Sequence, residues 1–95
     1  MIKDLNDIQI IQLIGERLRQ YRINLDLTQA ELSKASGVSV VTLRNLETGR
    51  STNLTLCNLL ALLRYTGLIE NIDYLIPEQP ISPYARRKIL RVRHV

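Results

Sequence analysis

The chain is expected to be all-α, a small bundle of five helices followed by a basic tail. Three observations carry this expectation. Apolar residues, mostly Leu and Ile with no Phe or Trp, recur at three- and four-residue steps along most of the sequence. Ser, Thr, Asp and Asn stand repeatedly just ahead of those runs, and Gly stands just after them, as helix caps require. Strand punctuation is sparse, and 95 residues suffice for one modest core without metal or disulfide.

The first helix is expected from residue 7 to Asn24, capped by either Asn6 or Asp7. Ile11, Ile14, Leu18, Tyr21 and Leu25 form its inward stripe, and Gln9, Gln12, Glu16, Arg19 and Gln20 its wet face. A short Leu25–Leu27 connection leads to Thr28, which caps a second helix and has Glu31 three residues on, the pattern of a capping box. Ala30, Leu32, Ser33 and Ala35 supply small or apolar surface for a close neighbour. Gly37 falls where that helix must stop with a left-handed residue. Ser39 then caps a third helix that ends near Thr48 and is closed by Gly49.

Helix, glycine turn, helix over residues 28–49 is an architecture that lays its second helix in a DNA major groove. Val38, Leu43 and Leu46 belong to the inward side of the third helix. Two adjacent valines cannot both lie on a narrow buried stripe, so Val40 or Val41 must be exposed, where it can meet a thymine methyl. Arg44 or Asn45 can then reach a base edge or phosphate. Gln29, at the first turn of the second helix, can hold a phosphate together with free backbone N–H groups. Lys34 is a weaker candidate. Glu47 would repel DNA unless occupied, and Arg22 near the end of the first helix is the expected partner, in a partly buried ion pair.

Arg50–Asn53 reads as a polar loop. Thr55 caps a fourth helix from Leu56 to near Thr66, stopped by Gly67, and Leu56, Leu59, Leu60, Leu62 and Leu63 almost encircle it, implying burial on most sides. Cys57 is expected to be a small core or near-surface filler. A short fifth helix is expected over Asn71–Ile76. Surplus apolar surface after the fourth helix, at Leu68, Ile69, Ile72 and Tyr74, is expected to contact a second copy of the chain. Pro77 and Pro80 end regular structure. The segment 77–95 can continue as a helix from Ser82-Pro83, as an edge strand over Leu90–Val95, or as a disordered arm.

Charge separates the two parts. Basic and acidic residues balance over residues 1–76, so Arg86, Arg87, Lys88, Arg91 and Arg93, against Glu78 alone, account for the whole net charge of +4. A basic tail suits a polyanion or simply keeps the chain solvated. The single cysteine cannot form an internal disulfide, which suits a reducing cytoplasm. The N-terminus lacks the basic region and cleavage site of a signal peptide, and no apolar run approaches the roughly 18 to 20 residues that span a bilayer. No metal-ligand cluster, phosphate-cradling glycine loop or acid–base dyad is apparent, so neither an enzyme nor a cofactor is expected. The scattered Tyr21, Tyr65, Tyr74 and Tyr84 offer no stacking platform for RNA.

Gly15-Glu-Arg-Leu-Arg19, Leu27-Thr-Gln-Ala-Glu-Leu32, Gly37-Val-Ser39 and Leu46-Glu-Thr-Gly49 closely resemble the Xre family of bacterial and phage Cro/cI-like repressors. The resemblance implies a lambda-repressor-like five-helix domain from Ile14 to near Ile76. It places the family's phosphate-binding glutamine on Gln29, its base-contacting positions on Ser39, Val40, Val41, Arg44 and Asn45, and its Arg–Glu pair on Arg22 and Glu47. Valines stand where phage repressors have glutamines at the base-reading turn, so their operators do not transfer. The loop after Gly49 is longer than usual, so Arg50, Ser51 and Asn53 do not inherit phosphate contacts by position alone, although Arg50 is kept as a DNA-binding candidate.

The run Gly67–Glu78, with Ser82-Pro83 and the basic end, is similar to the narrower group of HipB-like regulators and antitoxins encoded beside HipA-type kinase toxins. The expected partners are therefore double-stranded DNA, a second copy of the chain on a palindromic operator, and a HipA-like toxin kinase, with no membrane. Repression of its own operon is the leading expectation, and neutralisation of a toxin the alternative.

Overall fold

The computed structural model describes residues 2–80, and the expected tail conformations over residues 81–95 lie outside them. Five α-helices follow in order: α1 (Asp7–Asn24), α2 (Gln29–Ser36), α3 (Val40–Glu47), α4 (Leu56–Tyr65) and α5 (Ile72–Leu75). Short 3-10 turns precede α1 (Ile2–Asp4) and α5 (Ile69–Asn71), and no strand occurs among the described residues. The fold is all-α and matches the architecture of a lambda-repressor-like domain.

Local chemistry sets each boundary. Asn6, rather than Asp7, caps α1: its Oδ1 accepts the Gln9 N–H (2.8 Å), while Gln9 Oε1 accepts the Asn6 N–H (2.9 Å). Asp26 takes a left-handed backbone (φ 59°) in the connection to α2, a conformation that a short acidic side chain tolerates better than most. Thr28 and Glu31 form the same reciprocal box at α2. Gly37 (φ 78°) then turns the chain, and two serines hold that turn: Ser33 donates to the Val38 carbonyl (2.6 Å) and Ser36 accepts from the Val38 N–H (3.2 Å). Ser39 and Thr55 cap α3 and α4.

The core is Leu18, Leu32, Val38, Leu43, Leu46 and Leu62, with Ile11, Ile14, Leu54, Leu59 and Leu68 packed around it. α1 lies against α3, and α2 contacts both α3 and α4. Here the expected stripe of α1 is corrected. Tyr21 and Leu25 are exposed, because beyond Leu18 the inward line passes through Arg22 instead. A purely apolar periodicity skips a buried charged residue. Ala30 and Ala35 also face solvent, and the close approach of α2 to its neighbours is made by Leu32 and half-buried Ser33 and Ser36.

α4 is also less buried than its leucines imply. Only Leu62 is fully buried, Leu59, Leu60 and Leu63 are half-buried, and Leu56 and Cys57 are exposed. The helix makes its main contacts with α2 and with the turn before α5. No helix among the described residues is long and apolar enough to cross a membrane.

At Gly15 α1 and α3 are in close contact. A Cβ built there would lie 1.9 Å from the Leu46 carbonyl oxygen, so α1 and α3 meet backbone to backbone. Glycine costs a helix interior about 0.5–1 kcal/mol relative to alanine, which is tolerated here because it permits that approach. Gly15→Ala should therefore destabilise the protein by about 1–3 kcal/mol or more despite its better helix propensity, read as a lowered urea midpoint. An unchanged or raised midpoint would show that the two helices do not touch at this point.

Candidate nucleic-acid interface

The site is built around one buried carboxylate. Glu47, on the inward side of α3 with its side chain only 1% exposed, accepts two hydrogen bonds from Arg22 of α1: Nε to Oε2 at 2.8 Å and Nη2 to Oε1 at 2.9 Å. The remaining Arg22 nitrogen, Nη1, donates to the Leu27 carbonyl at 2.6 Å. Among the described residues no buried side-chain nitrogen or oxygen lacks a partner, the condition under which a buried ion pair is tolerated. The hydrogen bonds to Glu47 hold the Arg22 guanidinium above its ordinary pKa, against the opposing pull of burial.

Gln29 joins the same carboxylate, its Nε2 donating to Glu47 Oε1 at 3.0 Å. That contact fixes which way the amide faces, because only its nitrogen can approach a carboxylate. One N–H is thereby committed inward and the other remains for an outside acceptor. A side chain expected from the sequence to meet only a phosphate is thus also tied to the pair joining α1 to α3. It sits beside the Gln29 and Ala30 backbone N–H groups, which have no acceptor within their own helix.

α3 presents its opposite face to solvent. Ser39, Val41, Arg44 and Thr48 are exposed, with Val41 at 62%, while Val40, Thr42 and Asn45 are half-buried. The structure thus gathers Gln29, Ser39, Val40, Val41, Arg44 and Asn45 on the helix-turn-helix unit formed by α2 and α3. Arg50 is exposed just beyond α3, where its N–H and that of Ser51 both donate to the Asn45 carbonyl (2.9 and 3.1 Å). Leu68, Ile69 and Ile72 are half-buried after α4, and Tyr74 is 83% exposed, all away from the helix-turn-helix unit in sequence.

Some contributors were not singled out for a role by sequence reasoning. Gln12 of α1 donates its amide to the Gly49 carbonyl (3.1 Å) and steadies the end of α3. Thr42 accepts a hydrogen bond from the Ser39 hydroxyl (2.9 Å). The Thr42 contact was readable as a helix cap and its third residue, whereas the Gln12 contact spans distant parts of the chain and has no local signal.

Two short packed helices, a glycine turn and an outward face held from behind by an ion pair define a helix-turn-helix DNA-binding module. The match of the family model described as Helix-turn-helix (HTH_3) to residues 18–70, more than half of the chain, agrees with this. The chain belongs to that family and is a DNA-binding regulator of the helix-turn-helix type, a class of regulatory domains and not of enzymes. No curated protein matches it.

The capping box at α2 gives this site a pH signature. The Thr28 N–H, donating to Glu31 Oε1 at 2.9 Å, holds the Glu31 carboxyl below its ordinary pKa, with a contribution from the Thr28 side chain. A depressed folded-state value means the stabilisation is present above the ordinary glutamate pKa of about 4.3 and is lost as pH falls through the folded value. In a carboxyl carbon NMR titration, Glu31 should show a midpoint below that ordinary value, and the α2 N-terminal amides should exchange faster as it protonates. A midpoint at or above it would remove the box.

Proposed function

We propose that the protein is a sequence-specific transcriptional repressor that binds a palindromic operator of its own operon as a homodimer. The observation that carries this reading is the outward face of α3, with Val41 and Arg44 exposed above a helix anchored by Arg22 and Glu47. Gln29 and the first N–H groups of α2 would grip a phosphate and fix the register. Val40, Val41, Arg44, Asn45 and Ser39 would lie along base edges, and Arg50 beside the backbone. Two copies would place their third helices about 34 Å apart, one turn of DNA. The basic residues of the 77–95 segment supply the net charge that draws the protein to DNA in the cytoplasm.

Apolar surface after α4 supports a protein partner. Tyr65, Tyr74, Leu75 and Ile76 are exposed together with Leu56, and Leu68, Ile69 and Ile72 lie beside them in the chain. A second copy is the occupant favoured here. A HipA-like toxin kinase is the other reading, in which autoregulation accompanies antitoxin work. It rests on the resemblance of residues 67–78 to that group, and co-purification with the product of the neighbouring gene would separate the two.

A labelled duplex from upstream of its own gene should show a sequence-selective shift whose affinity falls steeply with salt, through release of counterions from neutralised phosphates. Arg44→Ala should cost about 1–3 kcal/mol on that duplex and little on random DNA. Gln29→Ala should weaken both alike. A shift insensitive to salt and sequence, or equal losses for both variants on both duplexes, would count against the reading.

A further inference from the structure

The outward face of α3 carries an unusually restricted chemistry. The Ser39 hydroxyl donates to Thr42 Oγ1 (2.9 Å) and accepts from the Thr42 N–H (3.1 Å), and the Thr48 hydroxyl donates to the Arg44 carbonyl (2.8 Å). Glu47, the one carboxylate of the helix, is turned inward and held by Arg22 and Gln29. Asn45 is half-buried, and its backbone carbonyl, not its side-chain amide, serves the following loop. The Arg44 guanidinium is exposed and has no hydrogen-bond or ion-pair partner among the described residues. Three residues before it stands Val41, more than half exposed and purely apolar. Beside the half-buried Asn45 amide, the exposed residues of the face therefore offer one uncommitted multi-donor group and one branched aliphatic group, with no anionic acceptor for the exocyclic amines of cytosine or adenine.

In a major groove these two groups have definite complements. A guanidinium matches the paired acceptors of guanine, O6 and N7, and an aliphatic side chain matches the methyl at C5 of a pyrimidine. Residues three apart on a helix are neighbours, with Cβ atoms about 5–6 Å apart, a span of one to two base steps. We propose that each half-site presents a pyrimidine C5-methyl group beside a guanine, and that the protein reads the methyl rather than the base that bears it. Thymine and 5-methylcytosine are then equivalent at that position, and unmethylated cytosine is disfavoured. The inference rests on the reading of the protein as a sequence-specific DNA binder and adds the chemical class it recognises.

The test uses the full chain. Sites are first selected from random-sequence duplexes, and synthetic duplexes of the selected site are then titrated by fluorescence anisotropy at one fixed salt concentration. Each thymine is exchanged singly for deoxyuridine, and the sensitive thymine also for cytosine and for 5-methylcytosine. Loss of the methyl should weaken binding about fourfold per half-site, the worth of one buried methyl-sized group. Cytosine should be at least as poor, and 5-methylcytosine should restore affinity to the level of thymine. Val41→Ser, at an exposed position that leaves the fold intact by circular dichroism, should bind the thymine and deoxyuridine duplexes equally. A selected site at which no thymine is sensitive, or at which 5-methylcytosine fails to restore binding, overturns the methyl inference and leaves the DNA-binding reading standing. Failure to select any site overturns both.

Discussion

The arrangement of this protein depends on the pair between Arg22 and Glu47. α3 is only eight residues long, too short to be stable alone, and it projects its other face into solvent. It keeps its place because its inward leucines enter the core and its one carboxylate is bound bidentately by α1. The same contact removes an obstacle to function, since an acidic residue on a helix near DNA would repel phosphate. Turned inward and neutralised, Glu47 instead acts as an acceptor that orients Gln29. Gly15 lets α1 approach the Leu46 carbonyl directly, on the same two helices that carry the paired charges.

In the proposed function, holding and reading fall to different chemistry. The helix-turn-helix unit itself is close to electrically balanced, with Lys34 and Arg44 set against Glu31 and Glu47. Under the proposed function, its power to discriminate comes from shape and from a few outward groups, chiefly Val41 and Arg44. The excess positive charge is concentrated after residue 76, where attraction to the phosphate backbone does not need a fixed geometry. Exposed apolar residues after α4, Tyr74, Leu75 and Ile76 among them, belong to neither task, and the proposal of a second subunit stands on them.

Much of this was legible in the sequence, and the reasons differ by element. Caps are local, so Thr28 with Glu31, Ser39, Thr55 and the three glycines after the helices announce the ends of α2, α3 and α4 directly. The partner of Glu47 could be inferred because an acidic residue on that helix required neutralisation. Burial was harder to read. Tyr21 and Leu25 fit an apolar period, yet the inward line of α1 includes a charged residue, and periodicity of apolar residues has no means of seeing that. The leucines of α4 promised burial all round, but the number of neighbours around a helix is a tertiary property. Gly15 looked like one letter of a family pattern, and only the distance to Leu46 gives it a physical cause. The tie from Gln29 to Glu47 was invisible for the same reason: it links two helices across the turn rather than two residues of one.

The most direct test of the account is a double-mutant cycle on Arg22 and Glu47, using Arg22→Met, Glu47→Leu and the combined variant in urea unfolding. A buried charge left without its partner costs on the order of 3–5 kcal/mol, whereas removing both charges together costs far less. Each single variant should therefore be strongly destabilised and the combined variant more stable than either. Additive losses, with a coupling below about 1 kcal/mol as for an exposed surface pair, would contradict the claim that this pair holds the reading helix in place.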